Sequence, residues 1–199
     1  MEVARVASYL RGMLTFAARN HSPQVFGIYA AICIGLNIGL GKISNVLGLP
    51  VTLDTIGTIL AAILIPWPLV LLVGIASSII ASIVIAPPFI YYAGTQLAIA
   101  LVAILMVRAG AFRYLWSAVL AGAGIGIVSA VASAPVTAVV FGGVSVPSLT
   151  ALNAVFLASG DSLWESVIKG ALVVESLDKI AAAVVVWAII RRLSGQRAR

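Results

Sequence analysis

Apolar residues fall in blocks along this chain, and short breaks rich in charge, proline or polar side chains separate them. Six blocks cover residues 25–41, 52–66, 68–86, 90–107, 114–141 and 171–190. A hydrocarbon layer about 30 Å thick is crossed by roughly 20 apolar residues in helical form, so each block predicts one membrane-spanning helix. Pro50, the Pro66/Pro68 pair and the Pro87/Pro88 pair mark turns. The second block is short and carries Asp54, whereas the fifth is long and carries Pro135, which predicts a kink. The pattern predicts an all-α integral membrane protein, a bundle of six transmembrane helices over residues 23–192. An amphipathic segment at 1–22 precedes it and a basic tail at 193–199 follows it.

Composition strengthens this reading. Of the 199 residues 62% are hydrophobic and 9% charged, against about 45–50% and about 25% in soluble domains. The formal charge of +6 does not point to nucleic acid, because the basic residues lie between apolar blocks rather than on the face of a soluble domain. Nine of the twelve Lys and Arg residues form three clusters. These are Arg5, Arg11 and Arg19 before the first span, Arg108 and Arg113 between the fourth and fifth, and Arg191, Arg192, Arg197 and Arg199 after the sixth. Basic residues stay on the cytoplasmic side, and six spans place all three clusters together. The expectation is therefore a multi-pass protein of the bacterial inner (cytoplasmic) membrane with both termini cytoplasmic. Trp67, Tyr114 and Trp116 then mark the inner interface, and Tyr91 and Tyr92 the outer one. The connection 142–170 lies outside, where it reads as a lid over an outward-facing pocket.

Several residues are out of place in hydrocarbon. Glu175, Asp178 and Lys179 open the sixth block, and ionisable groups inside a membrane are costly enough that a functional role is the default inference. Internal salt bridges that fasten helices are the alternative. Helical spacing pairs Glu165 with Lys169 and Glu175 with Lys179. Asp54 either interacts with the helix dipole at the start of the second span or lines a pocket. Asn37, Tyr92 and Gln96, with Thr95 and Tyr91 nearby, are candidates for the same outward cavity. Trp164 joins the candidate substrate contacts from the outer end.

Gly27, Ala31, Gly35 and Gly39 form a ladder of small residues along one face of the first span, which permits close helix contact, either within this chain or with another membrane subunit. Catalytic signatures are lacking. Gly39-Leu40-Gly41-Lys42-Ile43-Ser44 departs from a phosphate-binding loop at two required positions, so ATP-driven work is expected to come from a partner. His21 is the only histidine and Cys33 the only cysteine, the latter read as a buried thiol. No enzymatic activity, metal or cofactor is expected.

Together these features resemble the S components of energy-coupling factor transporters, small membrane subunits that bind vitamins for import. The resemblance is carried by the basic N-terminal segment, the face from Gly27 to Gly39, the entry Pro50-Val51-Thr52-Leu53-Asp54-Thr55-Ile56-Gly57, and Glu175-Ser176-Leu177-Asp178-Lys179. It implies that the small face of the first helix docks on a membrane-embedded coupling subunit, which joins two cytoplasmic ATPase subunits. It also implies that a vitamin-like small molecule is bound in the outer half of the bundle, and that the loaded subunit topples to release it. The Pro-Val-Thr-Leu entry is most similar to that of biotin-binding members, which usually have Gln where this chain has Asp54. A membrane-embedded ligand sensor, or a solitary transporter working without ATPase subunits, is the alternative function.

Overall fold

The computed structural model describes residues 22–195. The expected amphipathic segment, with Arg5, Arg11, Arg19 and His21, and the tail residues Arg197 and Arg199 lie outside the described residues. Seven α-helices and no strand occur among the described residues: α1 Pro23–Leu47, α2 Ile56–Leu64, α3 Trp67–Val84, α4 Ala93–Arg108, α5 Leu115–Pro135, α6 Pro147–Ala158 and α7 Leu163–Gly195. A 3-10 turn, Pro87–Tyr92, leads into α4, and a π turn, Val136–Val140, prolongs α5 past Pro135. Proline sits in the first turn of α1, α3 and α6, where its missing N–H has no intrahelical partner to lose. α1 closes on Gly48, whose φ of 61° is the left-handed cap conformation that glycine adopts without steric cost.

Four helical stretches are long and apolar enough to cross a membrane: Pro23–Leu47, Trp67–Val84, Pro87–Arg108 and Leu115–Val140. The remaining two expected spans take another form. The second, expected over 52–66, is a helix of 9 residues that reaches only about 14 Å at 1.5 Å per residue. Residues 50–55 ahead of it are not helical. The last, expected over 171–190, begins at Leu163 and continues for 33 residues, about 50 Å. Three ionisable residues near its middle, Glu175, Asp178 and Lys179, set it apart from the four apolar stretches.

The connection at 142–170, expected as a lid, contains α6 and the first turns of α7. The start of α7 is written in Ser162-Leu163-Trp164-Glu165. Glu165 accepts from the Ser162 N–H at 2.9 Å, and the Glu165 N–H donates to Ser162 Oγ at 3.4 Å. This reciprocal arrangement satisfies two N-terminal donors that would otherwise lack partners. Lys169 pairs with Asp161 at 2.7 Å instead of with Glu165 as helical spacing predicted, whereas the Glu175–Lys179 pair forms at 3.2 Å.

α2 is held from outside itself. Its N-cap residue, Thr55, makes no capping bond, and the side chain of Asn37 in α1 does this work. Asn37 Oδ1 accepts from the Gly57 and Thr58 N–H groups, at 2.7 and 3.3 Å. Its Nδ2 donates to Thr58 Oγ1 and Ser77 Oγ, at 2.8 and 3.0 Å. One amide thereby joins α1, α2 and α3 with all four of its hydrogen-bonding positions used. Around it the main core gathers Ile59, Val70, Ile99, Ala121 and Val186, and a smaller cluster of Ala130, Leu149, Ala171 and Val174 fastens α6.

The most extensive interface joins α5 to α7. Outside the bundle Ile28, Leu72, Leu105, Leu120 and Val131 are exposed, as a hydrocarbon solvent requires. Successive antiparallel passes bring the start of α3, the turn with Arg108 and Arg113, and the end of α7 to one end of the molecule. Trp67, Tyr114 and Trp116 are exposed there, and Tyr91 is exposed near the other end. These are the two aromatic rims that a bilayer favours.

Candidate functional site

At the end of the bundle away from Arg108 and Arg113, the helices part around a cavity of about 240 Å³. Its apolar wall includes Phe89, Ile99 and Phe141, with Tyr92 beside them. Its polar wall is made by Thr52 and Asp54 before α2, Thr95 and Gln96 in α4, Ser129 and Ser133 in α5, and Glu175 and Lys179 in α7. Residues Val144–Pro147 line it as well, so only the opening of the expected lid segment reaches the site. The volume lies just under the range of about 300–1,000 Å³ usual for small-molecule pockets, and the wall carries more polar side chains than such pockets usually have.

The polar wall is organised around one ammonium. Lys179 Nζ lies 2.5 Å from Asp178, 3.2 Å from Glu175 and 3.4 Å from Asp54. An ammonium has three N–H donors, and three carboxylates face this one. Each acid is tied further. Asp178 accepts from the Leu53 N–H at 2.7 Å and from Thr52 Oγ1 at 2.9 Å. Leu53 is the one non-glycine residue with positive φ among those described, at 53°, so Asp178 also secures a backbone conformation that a leucine rarely adopts. Asp54 accepts from Gln96 Nε2 at 3.2 Å and shares the single Thr52 hydroxyl proton with Asp178, each carboxylate lying 2.9 Å from Thr52 Oγ1. Glu175 accepts from Ser129 Oγ at 2.5 Å, through the same oxygen that faces Lys179. The network therefore links the entry to α2 with α4, α5 and α7.

Close backbone contact places these groups. A Cβ on Gly122 would stand 2.6 Å from Ile180 Cα, and one on Gly126 would stand 2.5 Å from Ser176 Cα. Only glycine lets α7 come this near α5, and the contact sets Glu175 and Lys179 at the cavity wall. Tyr92 and Phe141 stack at 6.0 Å over the opposite side, and Tyr92 Oη shares a hydrogen bond of 3.0 Å with Thr137.

Of the sequence candidates, Asp54, Tyr92, Gln96, Glu175 and Lys179 line the cavity. Asp178 stands behind Lys179, 1% exposed, and holds the α2 entry instead of facing the cavity. Asn37 lines a small pocket that shares Asp54, Ser78, Phe89 and Gln96 with the cavity wall, and its amide joins α1, α2 and α3. Trp164 is 47% exposed at the start of α7 and does not join the site. The dipole reading of Asp54 is not what the structure favours: its carboxylate turns to Thr52, Gln96 and Lys179.

Sequence reasoning missed Thr52, Ser129, Ser133, Phe89 and Phe141. The Ser129/Ser133 pair had a legible signal, two hydroxyls one helical turn apart in an apolar block. The aromatic residues had none, since their turns bring them in from distant positions. The ladder of Gly27, Ala31, Gly35 and Gly39 is exposed along α1, and a Cβ on any of the three glycines would meet nothing within 4 Å. No family model matches the chain, and neither does any curated protein or solved structure.

Proposed function

We propose that this chain crosses the membrane six times and serves as the substrate-binding S component of an energy-coupling factor importer for a vitamin or vitamin precursor. In this reading α2 with its extended entry forms the second crossing, α7 the sixth, and both termini lie in the cytoplasm. The observation that carries the proposal is the cavity itself: a polar-walled space beside a buried ammonium and its carboxylates, inside an otherwise apolar bundle. Charged groups in such a place are costly and persist where they serve a ligand or ion. The open ladder on α1 supports the second half of the reading. A flat face with no described residue packed on it suits a coupling subunit, and that subunit and its two ATPases would supply the work that this chain lacks the motif to perform.

Native mass spectrometry of the detergent-purified protein tests ligand binding, with a retained small molecule as the expected result. Co-purification with ATPase subunits from the native membrane tests the importer reading. A retained ligand without ATPases turns the assignment to a solitary transporter or sensor, and the absence of both removes it. Topology is tested separately by single cysteines in a Cys33→Ala background, where Ser148→Cys is labelled by an impermeant thiol reagent in intact cells and Gly110→Cys is protected.

A further inference from the structure

We infer that the cavity selects an organic cation, a ligand with a positively charged nitrogen and a flat or compact apolar body. The inference rests on the proposed role as a binding subunit and adds the charge class of the ligand. Three carboxylates, Asp54, Glu175 and Asp178, surround the single ammonium of Lys179, which leaves a formal excess of two negative charges in a setting where unbalanced charge is costly. Lys179 is 2% exposed and is the only basic residue on the cavity wall among the described residues. Two of its donors are hydrogen-bonded to Asp178 and Asp54, and Glu175 lies 3.2 Å away.

A second, independent observation concerns uncharged groups. Gln96 is 7% exposed and Thr95 6% exposed, both line the cavity, and Gln96 Oε1 and Thr95 Oγ1 have no hydrogen-bond partner. Gln96 gives one amide N–H to Asp54, and its Oε1 is left as a buried acceptor without a partner. Buried polar groups are rarely left unmatched in native proteins; the complement of Gln96 Oε1 is a ligand N–H or a diffuse positive charge, whereas the Thr95 hydroxyl can donate or accept. The facing wall agrees, because Phe89, Tyr92 and Phe141 present aromatic rings, and the negative face of such rings attracts cations. An anionic vitamin such as biotin, which the entry to α2 resembles, would meet carboxylates and an acceptor instead.

Two probes of fixed, opposite charge and shared ring test this: benzyltrimethylammonium and phenylmethanesulfonate, titrated into the purified full-length protein with binding read by calorimetry and thermal shift. The cation is expected to bind saturably and at least about tenfold more tightly, roughly the cost of one unfavourable charge contact. Equal or tighter binding of the sulfonate, or no binding of the cation, overturns the inference. Native mass spectrometry on the same preparation separates the two levels. A retained anion or neutral molecule leaves the binding reading standing and overturns the charge class, whereas no retained molecule and no probe binding overturns both. Glu175→Gln, which keeps the shape and removes one negative charge, is expected to weaken the cation about tenfold. Unchanged affinity in the folded variant removes Glu175 from the site. If that variant does not fold, Thr95→Val serves in its place: lost cation affinity supports the inference and unchanged affinity overturns it.

Discussion

Two stripes of small residues run along this molecule, and they have opposite fates. In α5, Gly122 and Gly126 are buried under α7 with no room for a methyl group, and Ala118, Ala121, Ser129 and Ser133 continue the same buried face. In α1, Gly27, Ala31, Gly35 and Gly39 show the same spacing and lie open. Spacing alone reports that a helix can be approached closely. Whether anything approaches depends on the partner face, since lipid offers no hydrophobic drive between helices and contact must come from packing and polar pairing. α7 brings both to α5: Ser176 and Ile180 meet the glycines, and Glu175 reaches Ser129. Among the described residues no helix brings either to the ladder on α1.

The sharpest way to break this contrast is to place a large side chain in each stripe. Gly126→Leu puts four carbons where the Ser176 backbone lies. The cost is expected at or above the upper end of overpacking effects, about 3 kcal/mol, and the variant is expected to give no monodisperse protein by size-exclusion chromatography. A well-behaved Gly126→Leu protein would show that α7 can leave α5 without loss. A step smaller is Asp178→Asn, which weakens the hold on the Leu53 N–H and the charge partner of Lys179 at once. A loss of about 1–3 kcal/mol in thermal or denaturant unfolding is expected, with ligand affinity falling because Thr52 and Asp54 shift with the entry. Unchanged unfolding with reduced affinity would instead place Asp178 in direct contact with the ligand.

Smaller still is the effect expected on the open stripe. Ala31→Trp and Gly35→Trp should change the stability of the isolated subunit by no more than about 0.5 kcal/mol, as surface substitutions do, and leave ligand affinity within a few-fold. Uptake by the assembled system should nonetheless fall. Misfolding of either variant would mean that the ladder is covered within this chain after all.

At the exposed start of α7, outside the expected crossing at 171–190, the hydrogen bonds from Ser162 hold the Glu165 carboxyl below its ordinary value of 4.5. A carboxyl whose folded value is lowered adds stability at pH above about 4.5, and this is lost as pH falls through the folded value. Glu165 is fully exposed, so the expected consequence is local. Amide exchange in the first turn of α7, corrected for the intrinsic pH dependence, should speed up below that pH in the native protein. In Glu165→Gln the acid-specific step should disappear.

The sequence by itself determined that this is a helical membrane protein, because backbone polar groups in lipid are satisfied only in helices or closed barrels, and continuous apolar blocks without alternation suit helices. It also singled out Asp54, Gln96, Glu175 and Lys179, for the simple reason that polar residues in apolar blocks are few. Helix ends were legible where proline marks them, as Pro66/Pro68 and Pro87/Pro88 do, whereas the start of α7 at Leu163, marked by Ser162 and Glu165, was expected only at 171. Tertiary structure alone decided the rest. It turned the second span into a short helix capped by Asn37 from another helix, and it moved Asn37 and Asp178 from contact with the cavity to support of its walls. It also chose which glycine stripe would be buried. Each of these depends on contacts between residues 20 to 126 positions apart, and such pairings carry no local periodicity. They follow from which backbone groups and charges remain unmatched once the helices have formed.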